Sequence, residues 1–299
     1  MQADLEKRVF LHYTQAELDR NFDQRGWVPN ALEVIGRYSE RSRLTRSRLA
    51  HQPNVAYGPG ADEVLDIFPA AAGAGHVQIF VHGGAWKNFT KDDYSFVADS
   101  YVPAGIHTLV VNLTNLPAVR LPAMVDQVRR AIEWALRSAR SFGGDPDKVY
   151  LSAQSSGAHL SAAALQAQSR DGGWRGGSIK GATLVSGPYY LEPVVLSARS
   201  SYVKLGEAEI RDLSPGLHAE RMPCPVVLAY AEHDTDEFQR QTRSFATALQ
   251  SAGKLSKLLR VPNVNHFELM ERFADPQHPL VAAVFEQMDV SPAPRLRIG

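Results

Sequence analysis

From residue 54 onward the chain alternates short apolar runs with longer stretches of helical periodicity, and this alternation restricts it to one class of fold. The runs cover residues 64–68, 77–81, 108–112, 149–151, 182–185, 226–230 and 258–261, and are rich in β-branched and other aliphatic residues. Between the third and fourth, residues 124–142 place Val125, Val128, Ile132 and Leu136 three and four apart and stop at Gly143-Gly144-Asp145-Pro146. That is an amphipathic helix with a sharp end. Strand and helix alternating in this way predict an α/β fold with a mainly parallel central sheet, right-handed crossovers and helices on both faces. Ligands then bind beyond the carboxyl ends of the strands. A chain of 299 residues that is 44% hydrophobic can fill such a core.

Residues 1–53 read differently. From about 14 to 50 they are predicted helical, with Thr14 as N-cap, Glu17 three residues later, and Leu18, Phe22, Leu32, Ile35 and Tyr38 as the apolar face. The basic stretch 37–48 is expected to be a solvated helix face. This small N-terminal helical segment is expected to act as a cap on the domain formed by residues 54–299.

Lys plus Arg and Asp plus Glu both total 32, so no net field points to nucleic acid or to an anionic membrane surface. The single cysteine, Cys224, excludes an intrachain disulfide and a multi-cysteine metal site, and is expected to be buried at the start of a strand. Met1-Gln2-Ala3-Asp4-Leu5-Glu6 has no apolar h-region and no run of about 18 apolar residues occurs, so a soluble cytoplasmic protein is expected. A homodimer is expected on base rates alone.

The chemistry concentrates at the ends of the runs. Ser155 follows the run 149–151 within Ser152-Ala153-Gln154-Ser155-Ser156-Gly157-Ala158-His159. Small residues around a serine between a strand and a helix permit a sharp turn that presents its hydroxyl as a nucleophile. The usual pattern is G-x-S-x-G; here Ala153 takes the first glycine place and only Gly157 matches. After the run 77–81 comes His82-Gly83-Gly84-Ala85-Trp86, whose glycines free backbone N–H groups to hold the negative oxygen formed when an acyl carbon is attacked. Gly83, Gly84 and Ala85 are the candidate residues of this oxyanion hole, and the N–H of Ser156 completes it. His82 is read as holding the loop.

After the run 226–230, Asp234 is the first choice for a carboxylate that orients a histidine; Asp236 is the alternative, and with Glu237 it also suits the positive end of the following helix. His266, on the loop after the last run, is the candidate base. Trp86, Gln154, His159, Tyr189 and Tyr190 are candidate pocket residues, with core filling an equal reading for the aromatics and helix packing the stronger one for His159.

The order Ser155, Asp234, His266, each after its own run with the glycine loop upstream, resembles the α/β-hydrolase superfamily. The segments Ser155-Ser156-Gly157-Ala158-His159-Leu160, Ser186-Gly187-Pro188-Tyr189-Tyr190-Leu191-Glu192-Pro193 and 232–241 are similar to the kynurenine formamidase (arylformamidase) group and its bacterial esterase relatives, over roughly residues 55 to 285. The resemblance implies a catalytic domain over residues 54–299, a Ser-His-Asp triad, no cofactor or metal, and a small-molecule aryl amide or ester substrate. Ala153-Gln154 stands where Gly-His is common in that group. Three functions compete: an arylformamidase-like amidase removing a small, formyl-like acyl group, a carboxylesterase for short esters, and a non-catalytic ligand-binding homologue. Intact Ser155, Asp234 and His266 argue against the third.

Overall fold

The computed structural model describes residues 7–171, 174 and 177–291; Met1–Glu6, and the expectation attached to them, lie outside that range. Ten strands occur among the described residues: β1 (Arg8–Phe10), β2 (Tyr13–Thr14), β3 (Gln52–Ala56), β4 (Val64–Phe68), β5 (Val77–Val81), β6 (His107–Val111), β7 (Val149–Gln154), β8 (Ile179–Val185), β9 (Val226–His233) and β10 (Leu255–Asn265). β1 and β2 form a small antiparallel pair, and the other eight form one sheet in the order β10-β9-β8-β7-β5-β6-β4-β3. Pairs from β6 through β5 to β10 are parallel, whereas β4 runs antiparallel to β6 and β3 antiparallel to β4. All seven apolar runs are strands of this sheet. β3 escapes the sequence pattern because it is a mostly exposed edge strand that carries Pro53 and a left-handed Asn54 (φ 56°).

The strands alternate between two cores. Val77, Ile79 and Val81 of β5 face the core shared with the helices Leu121–Ser138, Ser156–Asp171 and Asp236–Ser251, while Phe80 faces the one shared with Ala31–Arg48 and Pro279–Met288. Helices therefore cover both faces, and the strands, buried on both sides, read as continuous apolar runs. After β5 the chain crosses to β6 on one side and then to β7 on the other, so a topological switch point lies at the end of β5.

The N-terminal segment folds as Gln15–Asn21, Gln24–Trp27 and Ala31–Arg48, the first with the expected Thr14–Glu17 capping box. Two details differ from the sequence reading. The inward face of the long helix is Ala31, Val34, Tyr38, Ser42 and Thr45, and Leu32 is 75% exposed. The periodicity is offset because the small or polar residues Ala31, Ser42 and Thr45 occupy three of the five buried positions. Nor is the basic stretch merely solvated: Arg37 pairs with Glu271 at 2.8 Å, Arg48 with Asp99 at 3.0 Å, and Arg46 donates to the carbonyl of Asp92 at 2.6 Å. These bonds fasten the helix to the body. Cys224 is buried before β9, and burial pushes its thiol pKa up to about 12.

Candidate active site

β7 ends in the turn the sequence predicts. Ser155 has φ +56°, a left-handed conformation that is costly for a serine, and its N–H donates to the carbonyl of Val185 at 2.8 Å, so β8 holds the strained residue in place. Gly157 lets the following helix pass close to β5. The first glycine place needs no glycine, because Ala153 is a paired residue inside β7, buried among neighbours that accept its methyl group.

Three strand ends meet at this turn. Ser155 Oγ lies 3.0 Å from His266 Nε2, and His266 Nδ1 lies 2.6 Å from Asp234 Oδ1. The carboxylate's other oxygen accepts from Ser186 Oγ at 2.6 Å and from the N–H of Ala231 at 2.8 Å. With both oxygens engaged, Asp234 is 2% exposed and can orient the ring only one way. The imidazole is also wedged edge-on between Phe238 and Phe267, at 5.3 and 5.5 Å. Asp236 is exposed at the first turn of its helix, under the N-cap Thr235, away from this chain of bonds. Ser186 went unassigned as a site residue in the sequence; its signal was its place directly after a run.

The loop after β5 takes three successive positive φ angles, Gly84 (+120°), Ala85 (+54°) and Trp86 (+61°), and Lys87 and Asn88 close the turn by donating to Gly84 O at 3.0 and 2.9 Å. A β-carbon on Gly84 would meet the carbonyl of Asn88 at 2.0 Å. Among the described residues, no protein acceptor takes the N–H of Gly84, Ala85 or Ser156. Gly83 packs against the serine turn. It does not line the cavity; a β-carbon there would lie 2.5 Å from Gln154 Oε1, so its absence lets the loop rest on the serine turn. His82 stacks on Tyr94 and places Nδ1 2.7 Å from Gly83 O, and its burial lowers its pKa.

Ser155, His266, Gly84, Ala85 and Gln154 open onto a cavity of about 270 Å³. Gln154 lines it, with its amide nitrogen 3.1 Å from His266 Nε2. The other four candidate pocket residues do not. Trp86 is 1% exposed and donates from Nε1 to His159 Nδ1 at 3.2 Å; His159 is fully buried and bonds Leu213 O through Nε2 at 2.8 Å. Tyr189 packs in the core against Phe245, and Tyr190 lies against Gly216. The reason is the path after β8: the N–H of Tyr190 donates to Gln241 and that of Leu191 to Ser214, which turns both tyrosines away from the site. The aromatic walls come instead from Phe22, Tyr38, Phe89, Tyr94, Tyr202 and Phe267. Phe22 and Tyr38 belong to the N-terminal segment, which closes one side of the cavity and is tied down by Thr235 Oγ1 on Asn21 O at 2.8 Å.

Among the described residues no group of three or more His, Cys, Asp or Glu side chains is arranged to hold a metal ion, and no helix is long and apolar enough to cross a membrane. The BD-FAE family model matches residues 65–174. The chain is 30% identical to kynurenine formamidase of Salmo salar over 296 residues, covering 92% of this chain and 97% of that one. It is also 30% identical to esterase LipQ of Mycobacterium tuberculosis, over 74% of this chain and 58% of the relative. Among solved structures, a candidate thioesterase from Silicibacter sp. TM1040 superposes with a TM-score of 0.79 at 22% identity, covering 89% of this chain and 98% of that one.

Proposed function

The chain belongs to the α/β-hydrolase family, and we propose that within this family of hydrolases it is an arylformamidase-like amidase that removes a formyl-like acyl group from an aryl amine. The hydrogen-bonded series Ser155–His266–Asp234, opening onto a cavity beside unpaired amides, carries this reading. His266 Nε2 takes the Ser155 proton as Oγ bonds the acyl carbon, and Asp234 stabilises the imidazolium. The N–H groups of Gly84, Ala85 and Ser156 hold the oxyanion, each contributing about 2.7–4 kcal/mol to lowering the barrier. The C–N bond then breaks, and the imidazolium gives its proton to the leaving amine. Water, deprotonated by the same nitrogen, attacks the acyl-serine; the acid leaves and Ser155 regains its proton.

The cavity supports the amide reading in two ways. It is small, which suits a compact acyl group, and its aromatic walls suit an aryl leaving group. The likeness to kynurenine formamidase points the same way, while the likeness to esterase LipQ supports the rival, a short-chain carboxylesterase. Side-by-side kcat/KM values on N-formyl anilides, N-formylkynurenine included, and on short p-nitrophenyl esters decide between them. The formyl amides are expected to be the better substrates; fast ester turnover with negligible amide cleavage would establish the esterase.

A further inference from the structure

Trp86 and His159 do not line the cavity, yet they join the two elements that supply the oxyanion donors. The N–H of Ser156 opens the helix Ser156–Asp171, and those of Gly84 and Ala85 belong to the loop after β5. The pairing of β5 with β7 reaches Val81 and Ala153, so beyond it the loop needs other ties. It needs them because its backbone is strained: Ala85 and Trp86 each carry a β-carbon at positive φ, +54° and +61°. Such a conformation persists only where the surroundings over-determine it.

The Trp86 side chain supplies that constraint. Its Nε1 donates to His159 Nδ1 at 3.2 Å, the two rings meet edge to face with centroids 5.3 Å apart, and the guanidinium of Arg199 lies over the indole with Cζ 5.7 Å from its centroid. The backbone adds the bond from the N–H of Leu116 to Trp86 O at 2.8 Å. His159 stands four residues after Ser155, and its own N–H donates to Ser155 O at 3.2 Å, so the ring that receives the indole is set by the turn that carries the nucleophile and Ser156. The sense of each bond is fixed. An indole N–H donates and a carbonyl accepts, so Nδ1 bears the lone pair and Nε2 the proton given to Leu213 O at 2.8 Å. Both nitrogens are thereby used, and the acid–base work belongs to His266.

We propose that His159 is a positioning residue for the oxyanion hole: through Nδ1 it holds the indole of Trp86, and thereby the N–H of Ala85, in register with the N–H of Ser156. The inference rests on the serine-hydrolase reading and not on which acyl group is removed. A loop released from His159 relaxes away from positive φ, and a donor displaced by about 1 Å loses most of its hold on the oxyanion. The ground-state substrate, bound by the cavity walls, is little affected. The loss therefore falls on kcat.

Turnover of formanilide and of p-nitrophenyl acetate, expressed per site titrated to completion with a fluorophosphonate, tests this. His159→Gln can still reach Leu213 O but has no acceptor at the Nδ1 position, so kcat should fall about 10–100-fold on each substrate the native enzyme turns over, with KM within about threefold. His159→Asn, whose Oδ1 replaces Nδ1, should keep kcat within about threefold of native. Trp86→Phe, which removes the donor, should fall at least as far as His159→Gln, and the double variant should fall no further than Trp86→Phe alone, instead of by the product of the two losses. Affinity for 2,2,2-trifluoroacetophenone, whose adduct with Ser155 places a negative oxygen in the hole, should drop in His159→Gln by the same factor as kcat, while that for aniline should not change. A merely packing role would lower the melting temperature and leave kcat per titrated site unchanged. That result, equal losses in the Asn and Gln variants, or a loss confined to KM would overturn the proposal and leave the hydrolase standing. A native protein that neither turns over these substrates nor reacts with the fluorophosphonate would overturn both.

Discussion

Gly157 lies against the carbonyl of His82 so closely that a β-carbon on it would sit 2.3 Å from that oxygen and 2.4 Å from the carbonyl of Val81. Both carbonyls are backbone atoms at the end of β5 and have no side-chain freedom with which to yield. Gly157→Ala must therefore push the helix Ser156–Asp171 away from the sheet, and with it Ser155. The expected cost is about 1–3 kcal/mol in stability together with loss of most activity. Ala153→Gly, at the other end of the motif, should keep activity and lose about 1–2 kcal/mol, since β7 gains backbone freedom there and the core loses one buried methyl group. Melting temperatures and initial rates on both variants check the contrast.

Asp234 and Asp236 differ by two positions and, on this account, by orders of magnitude in effect. Asp234→Asn puts an amide where His266 Nδ1 now meets a carboxylate oxygen at 2.6 Å, and kcat should fall by roughly 10⁴. Asp236→Asn should change kcat by less than about threefold and cost roughly 0.3–1 kcal/mol through the helix dipole. Ser186→Ala lies between these, because Asp234 keeps the Ala231 N–H when the hydroxyl is lost: about a tenfold fall in kcat with little change in KM. If the Asp236 variant proved the inactive one, the assignment of the carboxylate would be wrong.

His159 makes stability depend on pH. The ring accepts from Trp86 Nε1 and donates from Nε2 to Leu213 O, a pattern that only the neutral tautomer satisfies, and burial lowers its pKa to about 4. The unfolded chain, with an ordinary histidine near 6.5, binds the proton that the folded state refuses. The contribution is thus complete above about pH 6.5 and is lost as pH falls toward 4, amounting to roughly 3 kcal/mol. Urea unfolding of native protein and His159→Gln at pH 7 and pH 4.5 should show a smaller acid loss in the variant; parallel curves would mean that His159 does not carry the effect.

The sequence made the strand ends legible and the side-chain directions between them illegible. Ser155, Asp234 and His266 each follow a run that is a strand, so reading the runs was enough to expect them on one edge of the sheet. Trp86, Tyr189 and Tyr190 also follow runs, but whether a residue after a strand faces the cavity depends on bonds to distant groups such as Gln241 and Ser214. Phe22 and Tyr38 read as the apolar stripe of a helix, and the same stripe serves as core and as cavity wall. Arg199 belongs to no motif at all, and its place on the cavity wall, bonded to the carbonyl of Phe22, is visible only in the folded structure.

The central claim is that Ser155 is a nucleophile activated by His266. Reaction of the folded protein with a fluorophosphonate, followed by peptide mass spectrometry, tests it most directly. The account predicts one adduct per chain, on Ser155, absent in Ser155→Ala and formed at least about a hundredfold more slowly in His266→Ala. Failure of the folded native protein to react, or an adduct on another residue with Ser155 unmodified, would contradict it.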